Sequence, residues 1–206
     1  MGHRFAELAF TDAVRAEQLR DGTRAAYARH EGGEAFNDRL GPDEAGFIAA
    51  RDTAFVATVG ATGWPYVQHR GGPRGFIRVA DDRTLLIPEA RGNRQFVTTG
   101  NLAGNDRAAL LLIDFAQRRR LKILARAHRV TAAEDPDLVE GLAMPGWRAR
   151  IEGALVLTVE AFDWNCPQHI TPRFTAAEIE EATQRLADRV VRLEAALNAA
   201  GVAVPA

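Results

Sequence analysis

From Thr53 onward the chain is punctuated too often for anything but short strands. "TAFVATV", "PYVQHR", "GFIRVA", "TLLIPE", "RAALLLIDFA", "RLKILARAHRV" and "GALVLTVEAFDW" are β-rich and mostly apolar, and "GATGW", "DDR" and "QRRR" are the turns between several of them. Parallel strands need a crossover of a dozen or more residues, so strands joined this tightly pair antiparallel. Six or more of them predict a mainly β fold of the α+β class, an antiparallel barrel with peripheral helices. Residues 91–106 are the exception, a connection long enough to carry a short helix across a barrel end.

Helices are expected on either side of this β region. "FTDAVRAEQLRDG" has Thr11 as N-cap and stops at Asp21-Gly22, and Thr23 can cap a second helix through "RAAYARHE", ended by Gly32-Gly33. "GPDEAGFIAARD" places Pro42 at the first helical position with acids behind it, a third helix. An acidic piece, "EDPDLVEGLA", reads as helical too. The tail "TAAEIEEATQRLADRVVRLEAALNAAG" has Thr175 as N-cap, Gly201 as stop, and a stripe of Ile179, Ala182, Leu186, Val190, Leu193 and Leu197. That stripe packs either on its own barrel or across a subunit interface. The expected organisation is one domain over 1–206: a helical lead-in at 1–51, the barrel core at 52–165, then a loop and amphipathic helix at 166–206.

Charge and composition exclude several classes. With 26 Lys plus Arg against 27 acids the formal charge is -1, so no global basic field argues for nucleic acid. The lone Cys166 excludes an internal disulfide framework and a cysteine-rich zinc site. His3, His30 and His128 have no regular ligand spacing, so no metal site is expected. No signal-peptide pattern opens the chain and no apolar run approaches a membrane span of about 20 residues. The expectation is a cytoplasmic protein without membrane contact.

Hydrogen-bond donors gather at strand ends. "RGNRQFVTTGN", residues 91–101, follows a strand and enters a helix. Free amides at a helix start, with Arg94 to add a forked, charge-assisted pair, suit a phosphate or a carboxylate. Asn93, Gln95, Thr98, Thr99 and Asn101 add neutral donors. In "PYVQHRGGPRGF", Gln68, His69 and Arg70 interrupt a strand and glycines follow, where a ligand can approach the backbone closely. "QRRRLKI" brings Arg118, Arg119 and Arg120 to the start of another strand. "DWNCPQHITPR" follows the last strand, with Trp164 as an aromatic plate and Asn165, Gln168 and His169 as donors.

Together "GWPYVQHRGGPRGF", "ARGNRQFVTTGNLAGNDRAALLLIDF", "RRRLKILARA" and "WNCPQHI" resemble the pyridoxamine 5'-phosphate oxidase-related group of FMN-binding split-barrel proteins, over roughly residues 5–175. The resemblance implies a six-stranded antiparallel split β-barrel and a homodimer holding FMN in clefts between the subunits. It implies that Gln68, His69, Arg70 and Gly71 run beside the flavin ring and ribityl chain, and that Asn93, Arg94 and Gln95 hold the phosphate. Arg120, or its neighbour Arg119, approaches the cofactor from the partner side; alternate strand residues share a face, so one of the two is expected there. A cation near the ring's carbonyl edge stabilises the charge that reduction places there. Asn101, Trp164 and Gln168 complete the expected cofactor contacts.

The sequence also departs from the true oxidase. A serine-arginine-lysine phosphate motif is replaced by Gly92-Asn93-Arg94, and the C-terminal arginine-leucine-x-proline segment for the pyridoxal phosphate substrate is missing. The expected activity is therefore that of a related branch: an FMN-dependent oxidoreductase passing hydride between flavin and a small substrate or NAD(P)H. No glycine-rich dinucleotide fingerprint appears, so any nicotinamide is a diffusing substrate. The alternatives are a flavin carrier or sensor without turnover, and a split barrel that uses deazaflavin or haem. No catalytic residue is assigned. His69 as a packed edge histidine, Cys166 as a structural small residue, His169 as a loop hydrogen-bonder and Trp64 as rim packing are the plainer alternatives.

Overall fold

Caps and turns written in the sequence set most boundaries. The computed structural model describes residues 2–32, 35–165 and 167–201. A two-residue strand β1 (Gly2–His3) leads into α1 (Arg4–Ala9), α2 (Asp12–Asp21) and α3 (Arg24–Ala28). Thr11 caps α2 through its side chain, and Gly22 ends it at φ 79, a left-handed conformation that costs a glycine little. Thr23 adopts helical angles and makes no cap; its hydroxyl turns back to Gln18 O, and α3 stops at Ala28, short of the expected end. Gly33, half of the expected stop signal, lies outside the described residues. After β2 (Ala35–Phe36), which pairs with β1, comes α4 (Pro42–Ala49), with Glu44 Oε2 accepting from Gly41 N at 2.9 Å.

The sheet follows: β3 (Thr53–Val59), β4 (Pro65–Gly71), β5 (Arg78–Val79), β6 (Thr84–Ala90), then α5 (Val97–Gly104), β7 (Arg107–Asp114), β8 (Arg119–Thr131), α6 (Pro136–Gly141) and β9 (Ile151–Asn165). The seven strands run β4-β3-β7-β8-β9-β6-β5, every pair antiparallel. The seventh strand beyond the expected six is β5, where only Arg78 and Val79 of "GFIRVA" pair, opposite Leu86 and Leu85; Phe76 and Ile77 are buried in the core instead. Residues 72–77 thus carry the chain from one sheet edge to the other.

Period-two alternation fixes the interior. Ala54, Val56 and Thr58 of β3, Ala108, Leu110 and Leu112 of β7, and Leu121, Ile123, Ala125 and Ala127 of β8 are all buried. β8 and β9, with 13 and 15 residues, are far longer than the usual five or six. Their register shifts between Leu124 and Ala125, where Glu160 is the extra residue, and a second shift opposite Glu89 and Ala90 makes Glu152 extra. Such bulges bend a sheet and re-aim a side chain. Gly153 lies beside the second bulge, where a Cβ would sit 2.7 Å from Val130 O, so no larger residue fits there.

The chain forms two compact units, Met1–Asp114 with Arg119–Pro167, and Phe115–Arg118 with Gln168–Ala206. The second contains α7 (Ala176–Ala199), whose start is closed by a reciprocal Thr175–Glu178 capping box and whose end is followed by Gly201 at φ 72. Within this unit the Arg173 guanidinium stacks over the Phe115 ring at 5.1 Å. Among the described residues no helix is long and apolar enough to cross a membrane.

Candidate functional site

Opposite residues of an antiparallel pair share a face, and β4 uses this to place polar groups over the core. Arg70, Gln68 and Tyr66 lie across from Ala54, Val56 and Thr58, the buried side of β3. His69 points the other way, its ring 5.7 Å from that of Phe55. Tyr66 hydroxyl donates to Gln68 Oε1, and Gln68 Nε2 donates to His69 O at 3.3 Å. Gly72, expected to leave room for a ligand, serves the chain itself: a Cβ there would meet Phe76 at 2.8 Å.

The interior face of β8 continues past Ala127 to Arg129, which the same alternation brings to the end of the barrel. There Glu89 of β6 joins two strands by charge. Its Oε2 accepts from Arg129 Nε at 2.5 Å and its Oε1 from Arg70 at 3.2 Å, with side-chain exposures of 12% for Glu89, 21% for Arg129 and 18% for Arg70. Arg70 Nε is buried and has no hydrogen-bond partner among the described residues.

After β6 the chain makes a strained loop. Asn93 Oδ1 accepts from Gln95 N at 3.1 Å, while Arg94 and Phe96 adopt φ 60 and φ 53. Two non-glycine residues at positive φ within three positions store conformational energy, a feature that clusters at ligand clamps. Phe96 is the N-cap of α5 and offers no side-chain cap, so the first-turn amides of the helix point outward without one. The guanidinium groups of Arg94 and Arg129 lie 5.6 and 5.9 Å from the Phe96 ring centroid. The bulged Glu152 stands near Arg94 at 3.6 Å and Arg91 at 3.8 Å.

These groups line one cleft of about 350 Å³. It gathers Gln68, His69, Arg70 and Gly71 with Asn93, Arg94 and Gln95, residues that the sequence pointed to separately. Four arginines, Arg70, Arg91, Arg94 and Arg129, face two glutamates, Glu89 and Glu152, a formal +2 with His69 neutral. A dianion such as a phosphate monoester matches that excess, and the open start of α5 adds amide donors. Tyr66, Glu89, Arg91, Phe96, Arg129 and Glu152 are cleft residues that the sequence reading did not select. For Arg129 the signal was there: the alternation Leu121, Ile123, Ala125, Ala127 extends to it in one step.

Other candidates lie elsewhere. Asn101 Nδ2 donates to Thr58 Oγ1 at 3.0 Å, tying α5 to β3. Arg120 is the second residue of β8, nine positions from Arg129, or about 30 Å along an extended strand; its Nε is also buried, without a hydrogen-bond partner among the described residues. Arg119 stacks on Trp164 at 4.4 Å and on Phe47 at 5.4 Å. Trp164 donates from Nε1 to Glu44 Oε1 at 2.7 Å, pinning β9 to α4. Gln168 belongs to the second unit and is exposed; Cys166 lies outside the described residues. Among the described residues no group of His, Cys, Asp and Glu is arranged to hold a metal ion.

Comparison with known proteins gives this architecture a family. The model of the pyridoxamine 5'-phosphate oxidase family matches residues 40–157, more than half of the chain and all of the cleft. No curated protein matches it. Among solved structures, HupZ of Group A Streptococcus is similar over 66% of this chain and 99% of its own, with 18% identity and a TM-score of 0.51. A Clostridium acetobutylicum protein related to general stress protein 26, of the pyridoxinephosphate oxidase family, is 16% identical over 66% of this chain and 94% of its own, TM-score 0.45. An FMN-binding protein from Syntrophomonas wolfei is 12% identical over 75% and 96%, TM-score 0.43.

Proposed function

The chain belongs to the pyridoxamine 5'-phosphate oxidase family, and from that membership we propose that it is an FMN-binding oxidoreductase acting on a small substrate or NAD(P)H as a homodimer. The observation that carries this reading is the cleft: Gln68 and Arg70 of β4 converge with the Asn93–Arg94–Gln95 loop and the uncapped start of α5, at a formal +2.

The residues fit a phosphate-bearing flavin. Arg94 is half exposed and its ion pair with Glu152 is loose, so its guanidinium is available to an anion. Arg70 Nε is a buried donor without an acceptor among the described residues, costly to leave unpaired, and a ligand acceptor would satisfy it. Gln68 offers an amide to the polar edge of a ring, and Phe96 an apolar rim beside it. Bound FMN would supply hydride transfer at its ring. The chain contributes binding, orientation and positive charge, and no side chain has to form a covalent bond. Haem would leave the phosphate cradle unused, whereas a deazaflavin phosphate would use it in the same way.

The test is an absorption spectrum of the purified protein, with mass identification of the chromophore released by acid. Released FMN supports the reading, and a released deazaflavin replaces the cofactor while keeping the cleft. A colourless protein that also fails to take up added FMN sinks it. Reduced protein whose reoxidation rate responds to a substrate or to NAD(P)+ is an enzyme; one that responds only to air is a carrier.

A further inference from the structure

Helix α7 spans 24 residues, and only Glu178 among them is less than exposed. Its large apolar side chains lie open to solvent: Ile179 is 55% exposed, Leu186 64% and Leu193 55%. A helix gains its stability in water chiefly from burying such a face.

The spacing of the face identifies what covers it. On a seven-residue repeat, Ala176, Thr183, Val190 and Leu197 take the a positions and Ile179, Leu186 and Leu193 the d positions, leaving Val191 as the one large apolar residue off the seam. Thr183 and Val190 at a are β-branched and Leu186 and Leu193 at d are leucines, the combination that favours two parallel strands, while Ile179 and Leu197 at the ends depart from it. We propose that α7 joins two copies of the chain as a parallel two-stranded coiled coil.

The flanking charges select both the partner and its direction. Glu180, Ala187 and Glu194 occupy e, and Ala182, Arg189 and Ala196 occupy g. In a parallel pair each g residue meets the e residue five positions on in the other helix, so Arg189 of one copy faces Glu194 of the second, and symmetry makes the pair twice. In an antiparallel pair Glu180 would face Glu194 and Arg189 would face Arg189, all repulsive. Within the chain Arg185 is committed to Glu181 and Gln184 to Asp188, whereas no hydrogen bond or ion pair occupies the side chain of Arg189 or Glu194 among the described residues.

No residue of α7 lines the cleft, so the test does not involve flavin. In the full-length chain carrying Cys166→Ser, a Leu193→Cys variant is expected to form a disulfide-linked dimer on mild oxidation, because residue 193 meets its own copy only when the helices are parallel. Ala195→Cys, at the f position on the outside, is the collision control and is expected not to link. Adding Arg189→Glu or Glu194→Arg to the Leu193→Cys chain is expected to slow linking about tenfold, and combining the two to restore it. No link at 193, equal linking at 193 and 195, or a double variant as slow as the single ones overturns the coiled coil.

Discussion

Glu89 and Arg129, 40 positions apart in the chain, meet at the mouth of the cleft with Arg129 Nε 2.5 Å from Glu89 Oε2. Arg70 shares the same carboxylate from the opposite strand. One acid therefore holds two arginines that would otherwise repel, and holds them where a second anion can share their charge. Removing one member of a largely buried cluster leaves the others uncompensated. Glu89→Gln is expected to destabilise the fold by about 2 kcal/mol in urea unfolding. The same change takes the cleft from a formal +2 to +3, so FMN is expected to bind more tightly in titration. Weaker FMN binding in a folded variant would show that the pair orients the arginines more than it restrains them.

Arg94 separates charge from strain. At φ 60 any side chain with a Cβ is disfavoured by roughly 1 to 2 kcal/mol relative to glycine. Arg94→Ala and Arg94→Gly both remove the guanidinium, and both are expected to weaken FMN binding by about 1 to 2 kcal/mol, the arginine being half exposed. Arg94→Gly is expected to melt above Arg94→Ala. Equal flavin content in all three proteins would remove Arg94 from the cradle.

Trp164 tests whether the motif after the last strand serves fold or cofactor. Its indole nitrogen donates to a carboxylate, and hydrogen bonds to charged groups contribute about 1.5 to 3 kcal/mol. Trp164→Phe keeps an aromatic ring against Phe47 and Arg119 and is expected to lower stability by about 1 to 2 kcal/mol with unchanged flavin content. Loss of flavin from a variant of normal stability would return Trp164 to the cofactor.

His3 gives the fold a pH dependence. Burial holds its imidazole below the ordinary value, the Asp163 carboxylate 3.6 Å away pulls in the opposite direction, and His30 adds to the lowering. The unfolded chain therefore takes up the proton first, near pH 6.5. Stability from this residue is complete above that pH and declines as pH falls through it towards the folded value. Urea midpoints are expected to be lower at pH 5.5 than at pH 7.5, and His3→Gln to flatten the difference. A slope unchanged by the substitution would place its origin elsewhere.

The sequence made local structure legible and long-range placement only in part. The Thr175 N-cap, the Gly22 stop, and the "GATGW" and "DDR" turns each depend on a few neighbouring residues, and all formed as expected. Thr23 failed as a cap because its backbone takes helical angles, whereas a capping oxygen reaches the first amides from an extended residue. Both halves of the cleft, residues 68–71 and 93–95, announced themselves as polar interruptions at strand ends. Glu152 did not, because a bulge aims it and no period count contains a bulge. Glu89 reads as an ordinary last residue of "TLLIPE" until the strand carrying Arg129 is laid beside β9. Arg129, at the other end of the strand that Arg119 and Arg120 open, lines the cleft of its own chain, whereas the approach expected of Arg119 or Arg120 is from a partner subunit.

The strand order has a kinetic consequence. β6 pairs with β9 and β3 with β7, so the sheet is assembled across large separations in sequence. At about 5 to 20 residues per second during synthesis, the roughly 60 residues between Ala90 and Ile151 take several seconds to emerge. Until they do, β6 has only the two residues of β5 for a partner, and the arginine-rich mouth has only one wall. Loop closure precedes any gain from such distant pairing, which places this chain among slow-folding topologies. Its most exposed moment is the nascent chain with β6 made and β9 still to come.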